Sequence, residues 1–174
     1  MESPRTPIVT LPQGQLTGTL EKGIAAWRGI PYAAPPTGEG RWRAPRPAPT
    51  WQGVRVADSA GPSSWQDAES CREVGGGDPG QFSEDCLYLN VWAPAQHDAP
   101  LPVMVWLHGG RFTIGAGSLP PYDGSALAAR GAGLVTVNYR LGHLGFFAHP
   151  ALEGEDPLGR TCNFGLLDQI AALE

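Results

Sequence analysis

The sequence predicts an α/β fold, because two apolar strands flank a short helix in the pattern of a βαβ unit. The segment Val103–Leu107 is apolar at every position, as in a strand that helices cover on both faces of a mostly parallel sheet. Residues 133–140, GLVTVNYR, have a similar character. Between them, DGSALAARG predicts a helix that begins at Asp123 or Ser125 and ends at Gly131. We expect a right-handed crossover between parallel strands.

The N-terminal half is predicted to contain short strands joined by irregular chain. The segments IVTL, QLTGTL and IAAWRGIPYA read as strands bounded by glycine and other turn residues. The following stretch, PPTGEGRWRAPRPAPTWQG, has too many prolines for a central strand. Residues 86–94, CLYLNVWAP, predict one more strand.

The final segment, NFGLLDQIAALE, predicts a helix. Leu166, Ile170 and Leu173 recur at helical spacing, and Asn163 is a possible N-cap. No glycine or proline follows, and Glu174 places negative charge at the negative end of the helix dipole. This pattern indicates an interrupted element.

The composition excludes several classes of partner. The net charge is −5, with scattered arginines and a single lysine, so no basic patch for nucleic acid is present. The N-terminal residues do not combine a basic region with an apolar run, and no apolar stretch reaches the ~18 residues of a membrane span. We therefore expect a cytoplasmic protein that binds neither nucleic acid nor membrane.

Cofactor and metal sites are not expected. The three cysteines, Cys71, Cys86 and Cys162, form neither a CxxC pair nor a Cys/His zinc spacing. Whether Cys71 and Cys86 pair is open, although the lack of an export signal favours thiols. The segment GRFTIGAG has the glycine spacing of a phosphate loop, but Ala116 stands where that loop requires lysine.

The segment VWLHGGRF, residues 105–112, carries the clearest chemical signal. A strand that ends in His-Gly-Gly brings its backbone close to a ligand, because glycine tolerates φ values that other residues resist. Outward-pointing amides suit the oxyanion of an acyl-transfer intermediate, where each donor contributes roughly 3 kcal/mol.

The motif HGGRF followed by GAGS resembles the oxyanion loop of type-B carboxylesterases, the cholinesterase-like branch of the α/β-hydrolase fold. The blocks GIPYAAPPTGEGRWRAPRPAPTWQGVRVA, SEDCLYLNVWAP, VTVNYRLGHLGFF and NFGLLDQIAAL resemble further family segments in the family's order. The resemblance implies that residues 1–174 are the N-terminal fragment of one α/β-hydrolase domain. Its sheet would be mixed and incomplete, with antiparallel N-terminal strands and a βαβ crossover.

The resemblance also assigns site residues. It places the oxyanion donors at the backbone N–H groups of Gly110 and Arg111, with Gly109 shaping the turn. Arg111 departs from the more usual glycine or alanine. Any residue except proline supplies an amide, so donation survives if the arginine side chain points away from the acyl oxygen.

The family's serine lies in a GxSxG elbow, and no serine of this sequence has that pattern. The resemblance places the elbow after the helix at residues 163–173, so the nucleophile, the acid and the base are absent. His108 belongs to the loop and is expected to fix its conformation rather than act as a base. Six polar residues in the motifs are expected to be buried hydrogen-bonding groups: Asp85, Asn138, Arg140, Asn163, Asp168 and Gln169.

The leading interpretation is therefore the oxyanion-loop portion of a serine carboxylic-ester hydrolase, inactive alone, whose complete form acts on a small-molecule ester. One alternative is a non-catalytic cholinesterase-like binding module. Another is a truncated gene product without independent function. The acyl group and the oligomeric state are not readable from the sequence.

Overall fold

The computed structural model describes residues 4–74, 76–154 and 161–174. Within them the chain forms two β-sheets with four short helices. The strands are β1 (Val9–Leu11), β2 (Gly14–Thr17), β3 (Thr19–Glu21), β4 (Ile24–Pro31), β5 (Val54–Val56), β6 (Tyr88–Pro94), β7 (Val103–Leu107) and β8 (Gly133–Val137). The α-helices are α1 (Ala68–Glu73), α2 (Ser125–Ala128), α3 (Gly142–Phe146) and α4 (Phe164–Leu173).

The larger sheet has five strands in the order β3-β4-β6-β8-β7. The pairs β3–β4, β4–β6 and β6–β8 are antiparallel. The edge strand β7 runs parallel to β8, with Val103 opposite Gly133 and Leu107 opposite Val137. The mixed sheet implied by the resemblance is thus confirmed. Because β7 and β8 are parallel neighbours joined through α2, the predicted crossover unit is confirmed as well.

The smaller sheet has the order β1-β2-β5 and packs against β4 of the larger sheet through apolar side chains. Leu16, Ile30 and Ala57 form the buried centre of this contact, and Trp27 and Trp51 pack around it. These N-terminal strands therefore brace one end of the larger sheet, away from β7.

Helix α2 forms within the predicted segment, but its N-cap is Gly124 rather than Asp123 or Ser125, and it ends at Ala128, three residues before Gly131. The Asp123 carboxylate accepts a hydrogen bond of 2.9 Å from the amide of Ser125, and Gly131 follows the helix with φ of +87°. The left-handed φ explains the glycine, since other residues are strained there. Ala128 packs on the buried Trp92 of β6, which fixes the helix against the sheet.

Strand β7 departs from the prediction of burial on both faces. All five of its side chains are between 37% and 63% exposed. The physical reason is position, because β7 is the edge strand of the described sheet and receives a neighbour only from β8. Trp106 gains partial cover from the Tyr122 ring, with a centroid separation of 5.1 Å.

Helix α4 also differs from its predicted packing. Its buried residues are Phe164, Gly165 and Asp168, whereas the regularly spaced Leu166, Ile170 and Leu173 are 39% to 60% exposed. Asn163 occupies the N-cap position, but its side chain makes no capping hydrogen bond. Among the described helices, none has the length and apolarity needed to cross a membrane.

Candidate functional site

The loop at residues 108–117, called the oxyanion loop below after the role that the resemblance implies for it, makes a tight turn directly after β7. Gly110, Arg111 and Phe112 have φ values of +117°, +58° and +62°. The Gly110 carbonyl oxygen accepts hydrogen bonds from the amides of Thr113 at 3.0 Å and Ile114 at 3.1 Å. A Cβ at Gly110 would overlap the Ile114 carbonyl oxygen, so only glycine fits this point of the turn.

The four consecutive amides of residues 109–112 have no acceptor among the described residues, and they include the two that the resemblance assigns as donors. Neither the N–H of Gly110 nor that of Arg111 donates to any of the residues the structure describes. Gly110 is partly exposed and Arg111 is exposed, so these amides do not lie in a packed interior. Backbone donors that lack an internal partner are available to a ligand.

Gly109 has a different role from Gly110. Its φ is not positive, and a Cβ built on it would meet no atom within 4 Å. The resemblance assigned the turn to Gly109, but the left-handed glycine of the turn is Gly110. Gly109 instead leaves open space beside the two free amides.

A cavity of about 210 Å³ lies beside the loop. The backbone of Gly109 and Gly110 forms part of its wall, and Val74, Ile114 and Leu119 supply apolar side chains. A concave apolar space next to free amides is the usual form of a small-molecule site.

His108 holds the start of the loop. It is 3% exposed, and its ring stacks on Tyr139 at a centroid separation of 4.4 Å. Its Nδ1 lies 2.8 Å from the carbonyl oxygen of Gly109, so Nδ1 carries the proton, because a carbonyl can only accept. The Tyr139 hydroxyl donates to the His108 carbonyl at 2.6 Å.

Burial lowers the pKa of His108, outweighing the bond to Gly109, and this keeps the imidazole neutral. No described serine, threonine or cysteine side chain is hydrogen-bonded to its ring. These contacts agree with the structural role predicted for His108.

Gln66 clamps the far side of the loop. Its carboxamide oxygen accepts from the amide of Gly115 at 2.7 Å, and its nitrogen donates to the Gly115 carbonyl at 2.8 Å. Gly115 has φ of +115°, and a Cβ there would overlap the His108 ring and lie 2.7 Å from the Gly109 oxygen. These two hydrogen bonds therefore hold Gly115 close to His108 and Gly109, which precede Gly110 and Arg111 in the chain.

Asn138 anchors the end of the loop to the sheet. Its Oδ1 accepts from the amide of Gly117 at 2.7 Å, and its Nδ2 donates to the Pro62 carbonyl at 3.0 Å. The Tyr32 hydroxyl donates to the Asn138 carbonyl at 2.6 Å. Burial raises the pKa of Tyr32, so its hydroxyl stays protonated and remains a donor.

Arg140 and Asp168 form a buried ion pair below this anchor. Arg140 Nη2 and Nε lie 2.6 Å and 2.8 Å from the two carboxylate oxygens, and the Arg140 amide donates to Oδ2 at 3.1 Å. The side chains are 2% and 0% exposed. The pair ties α4 to the chain that follows β8. Arg140 Nη1 is buried without an acceptor among the described residues.

The six predicted structural residues divide into two groups. Asn138, Arg140 and Asp168 are buried and bonded, and Asp85 accepts from the Tyr88 hydroxyl at 3.0 Å. The prediction is wrong for Asn163, which is exposed, and the side chain of Gln169 makes no hydrogen bond among the described residues. Gln169 lies on α4 and Asn163 directly precedes it. The apolar repeat of the sequence also predicted the wrong buried face for this helix.

The cysteines are unpaired in the structure. Cys71 and Cys86 are buried free thiols in separate apolar clusters. Burial raises the pKa of Cys86 to about 12, and it also raises the pKa of Cys71. Neither thiol is therefore activated as a nucleophile at neutral pH.

Gln66 and Tyr139 support the loop, and the sequence motifs predicted a role for neither residue. Tyr139 lies between Asn138 and Arg140 in a recognised block, so its position was the available signal. Gln66 carries no such signal, because it is 49 residues from Gly115 along the chain and meets it only in the folded structure.

Comparison with known proteins assigns the family. A family model described as the carboxylesterase family matches residues 5–174. The chain belongs to this family. The resemblance that the sequence motifs carried is thereby confirmed. The chain is 49% identical over 156 residues to the fumonisin B1 esterase of Sphingopyxis macrogoltabida, covering 89% of the chain and 28% of that protein.

Two further comparisons concern para-nitrobenzyl esterases. The Bacillus subtilis enzyme is 48% identical over 172 residues, covering 96% of this chain and 33% of that protein. A solved PNB esterase structure superposes with a TM-score of 0.86 at 47% identity, covering 95% of this chain and 33% of that one. The described residues therefore form part of an α/β-hydrolase fold. The chain spans about a third of the length of these relatives.

Proposed function

We propose that this carboxylesterase chain supplies the oxyanion-stabilising part of a serine carboxylic-ester hydrolase. The N–H groups of Gly110 and Arg111 donate to the carbonyl oxygen of the scissile ester. The observation that carries the proposal is that these two amides have no acceptor among the described residues and are not buried, and that Gly110 lines an apolar cavity.

The amides act on the charge that develops during acyl transfer. As the serine oxygen forms a bond to the ester carbon, the carbonyl electron pair moves onto oxygen, and a histidine takes the serine proton. That proton then passes to the departing alcohol, and water releases the acid from the acyl-enzyme by the same steps. Each amide contributes roughly 3 kcal/mol in the transition state, provided that it does not have to reorient.

Preorganisation is what the surrounding residues provide. Gln66, Asn138 and Tyr139 hold the loop by neutral hydrogen bonds, and the neutral His108 adds no competing charge. The free amides therefore keep their direction without an internal acceptor. This arrangement suits a donor that must be rigid before the substrate arrives.

The catalytic side chains are assigned to polypeptide outside residues 1–174. No G-x-S-x-G pattern occurs within them, and the chain covers about a third of its relatives. Residues 1–174 alone are therefore expected to be inactive. The apolar wall of Val74, Ile114 and Leu119 is proposed to receive a hydrocarbon part of the ester.

The test uses a hybrid esterase, in which residues 5–174 replace the homologous third of the Bacillus subtilis para-nitrobenzyl esterase. The protein expressed from its own complete reading frame is measured in parallel. We expect hydrolysis of p-nitrophenyl butyrate, and we expect a serine-directed phosphonate to abolish it. A hybrid that folds, as judged by circular dichroism and a cooperative thermal transition, but has no turnover would overturn the proposal.

A positioning variant tests the loop itself. Tyr139→Phe removes the hydroxyl that bonds to the His108 carbonyl and keeps the stacked ring. We expect kcat to fall about tenfold with little change in KM, because the amides act mainly in the transition state. The matched control is Tyr88→Phe, which removes a hydroxyl bonded to Asp85 instead. Equal effects of the two variants would contradict the assigned role of the loop.

A further inference from the structure

Arg111 is strained and has no structural compensation. Its φ of +58° lies in the left-handed region, which non-glycine residues avoid. Among the described residues, its guanidinium makes no hydrogen bond and no ion pair. Strain that is retained without a structural partner is an indication of function.

Exposed arginines of the described residues differ in whether they find partners. Arg5 lies 2.9 Å from Asp58, and Arg41 forms two hydrogen bonds to Glu84. Arg111 has no carboxylate partner among the described residues, and the same holds for Arg46 and Arg130. Arg111 differs from those two in lying on the loop that carries the proposed donors.

The sequence around Arg111 removes local compensation as well. It is the only aspartate, glutamate, lysine or arginine between Asp98 and Asp123. His108 adds no charge of its own, since burial keeps its imidazole neutral. The oxyanion loop thus carries one positive charge that no carboxylate of the described residues pairs with.

The position of that charge is fixed relative to the proposed site. Arg111 supplies one of the two free amides, so its side chain starts from the residue that meets the reacting carbonyl. The next residue is held on both sides, because the Gly142 amide donates to the Phe112 carbonyl at 2.7 Å and the Phe112 ring lies 4.9 Å from that of Phe146. The backbone from which the guanidinium extends is therefore fixed at the proposed donor site.

We propose that the Arg111 side chain binds a carboxylate carried by the ester substrate, which makes esters with a second, ionised acid group the preferred substrate class. This inference rests on the proposed function and names the substrate class of the same site. Arginine suits the task because its planar guanidinium binds a carboxylate through two parallel hydrogen bonds.

The experiment compares charged and neutral esters of matched shape in the hybrid esterase and in the protein from its complete reading frame. For a carboxylate on the acid side, mono(p-nitrophenyl) adipate is compared with p-nitrophenyl hexanoate. For a carboxylate on the alcohol side, p-acetoxybenzoate is compared with p-tolyl acetate. The quantity measured is the ratio of kcat/KM for the charged ester to kcat/KM for its neutral partner.

We expect Arg111→Met to lower that ratio about tenfold or more in one of the two pairs, since a charge-assisted hydrogen bond is lost only with the charged ester. The pair that responds identifies the side of the ester that carries the carboxylate. Arg111→Lys is expected to fall between wild type and Arg111→Met, because it keeps the charge but not the paired geometry. Arg130→Met removes another exposed positive charge, at the end of α2, and should leave both ratios unchanged.

The outcomes separate the two proposals. If wild type hydrolyses the neutral esters and Arg111→Met changes neither ratio, the carboxylate site is overturned while the proposed function stands. If Arg111→Met slows hydrolysis of the charged ester and of its neutral partner equally, the carboxylate site is likewise overturned. If wild type hydrolyses no ester, the proposed function fails and this inference fails with it.

Discussion

The oxyanion loop and strand β7 are adjacent in the chain, yet the described residues surround them very differently. The loop is fixed by Tyr139 at its start, by Gln66 in its middle and by Asn138 at its end. The strand before it is an apolar edge with every side chain at least 37% exposed. The described residues thus supply several contacts that position the free amides, but they leave the neighbouring apolar surface of β7 uncovered.

The same contrast divides α4. Its Asp168 face is fully buried against Arg140, and its Ile170 face is open. The face of α4 that carries Asp168 is buried, like the residues that support the loop. The face that carries Ile170 is exposed, like the side chains of β7.

Asp168→Asn is expected to be the most damaging substitution. It leaves the Arg140 guanidinium buried without its counter-charge, and breaking one partner of a buried pair costs about 3–5 kcal/mol in the free energy of unfolding. Urea unfolding of the hybrid esterase measures the loss. Asp58→Asn is the control, because the Arg5–Asp58 pair is exposed and should contribute less than about 1 kcal/mol. Similar losses for the two variants would show that Asp168 does not have the buried role given to it here.

The two glycines of the loop should respond in opposite ways. Gly110→Ala forces a Cβ into the Ile114 carbonyl oxygen at a left-handed φ, so it should lower stability by about 2–3 kcal/mol. Gly109→Ala meets no protein atom and should change stability by less than about 0.5 kcal/mol. Its methyl group nevertheless projects into the open space beside the amides, so kcat/KM should fall. Thermal unfolding and ester hydrolysis together separate the two effects, and a stable Gly110→Ala protein would contradict the turn geometry.

Val137 and Val105 offer a matched pair across the boundary between the two regions. Val137 is fully buried on β8, so Val137→Ala should cost about 2 kcal/mol from lost transfer energy and the cavity left behind. Val105 is 40% exposed on β7, so Val105→Ala should cost less than about 1 kcal/mol in residues 1–174. In the hybrid esterase the stability loss of Val105→Ala should rise toward that of Val137→Ala if the added chain covers β7. Equal small values in both proteins would mean that β7 stays exposed.

The sequence predicted the fold where local pattern and tertiary environment agree. The turn of Asp123 onto the Ser125 amide, the left-handed Gly131 after α2 and the parallel pair β7 and β8 follow from propensity and connectivity. The exposure of β7 did not, because an all-apolar strand indicates only that its surface needs cover, and not whether the described residues supply it. The apolar repeat of α4 failed for the same reason.

The candidate site was predictable only in part. The motif predicts Gly110 and Arg111 as donors, because a family pattern of backbone donors depends on a short contiguous segment, and this assignment stays a prediction. The contacts that hold the loop, from Gln66 and Tyr139, depend on side chains brought together by the sheet. That the Arg111 guanidinium has no partner among the described residues likewise became visible only in the structure.

His108 provides the smallest test of the contrast, through the pH dependence of stability. Its pKa is lowered by burial, so below the ordinary value of about 6.5 the unfolded chain binds a proton that the folded loop excludes. Stability should therefore fall as pH drops from about 6.5, by at most about 1.4 kcal/mol per pH unit until the lowered folded pKa is reached. Urea midpoints between about pH 7 and pH 5 measure the slope. His108→Gln should flatten it, whereas His97→Gln, at an exposed turn, should leave it unchanged. A slope that persists in His108→Gln would place the acid-sensitive group elsewhere and remove the argument that a neutral imidazole supports the loop.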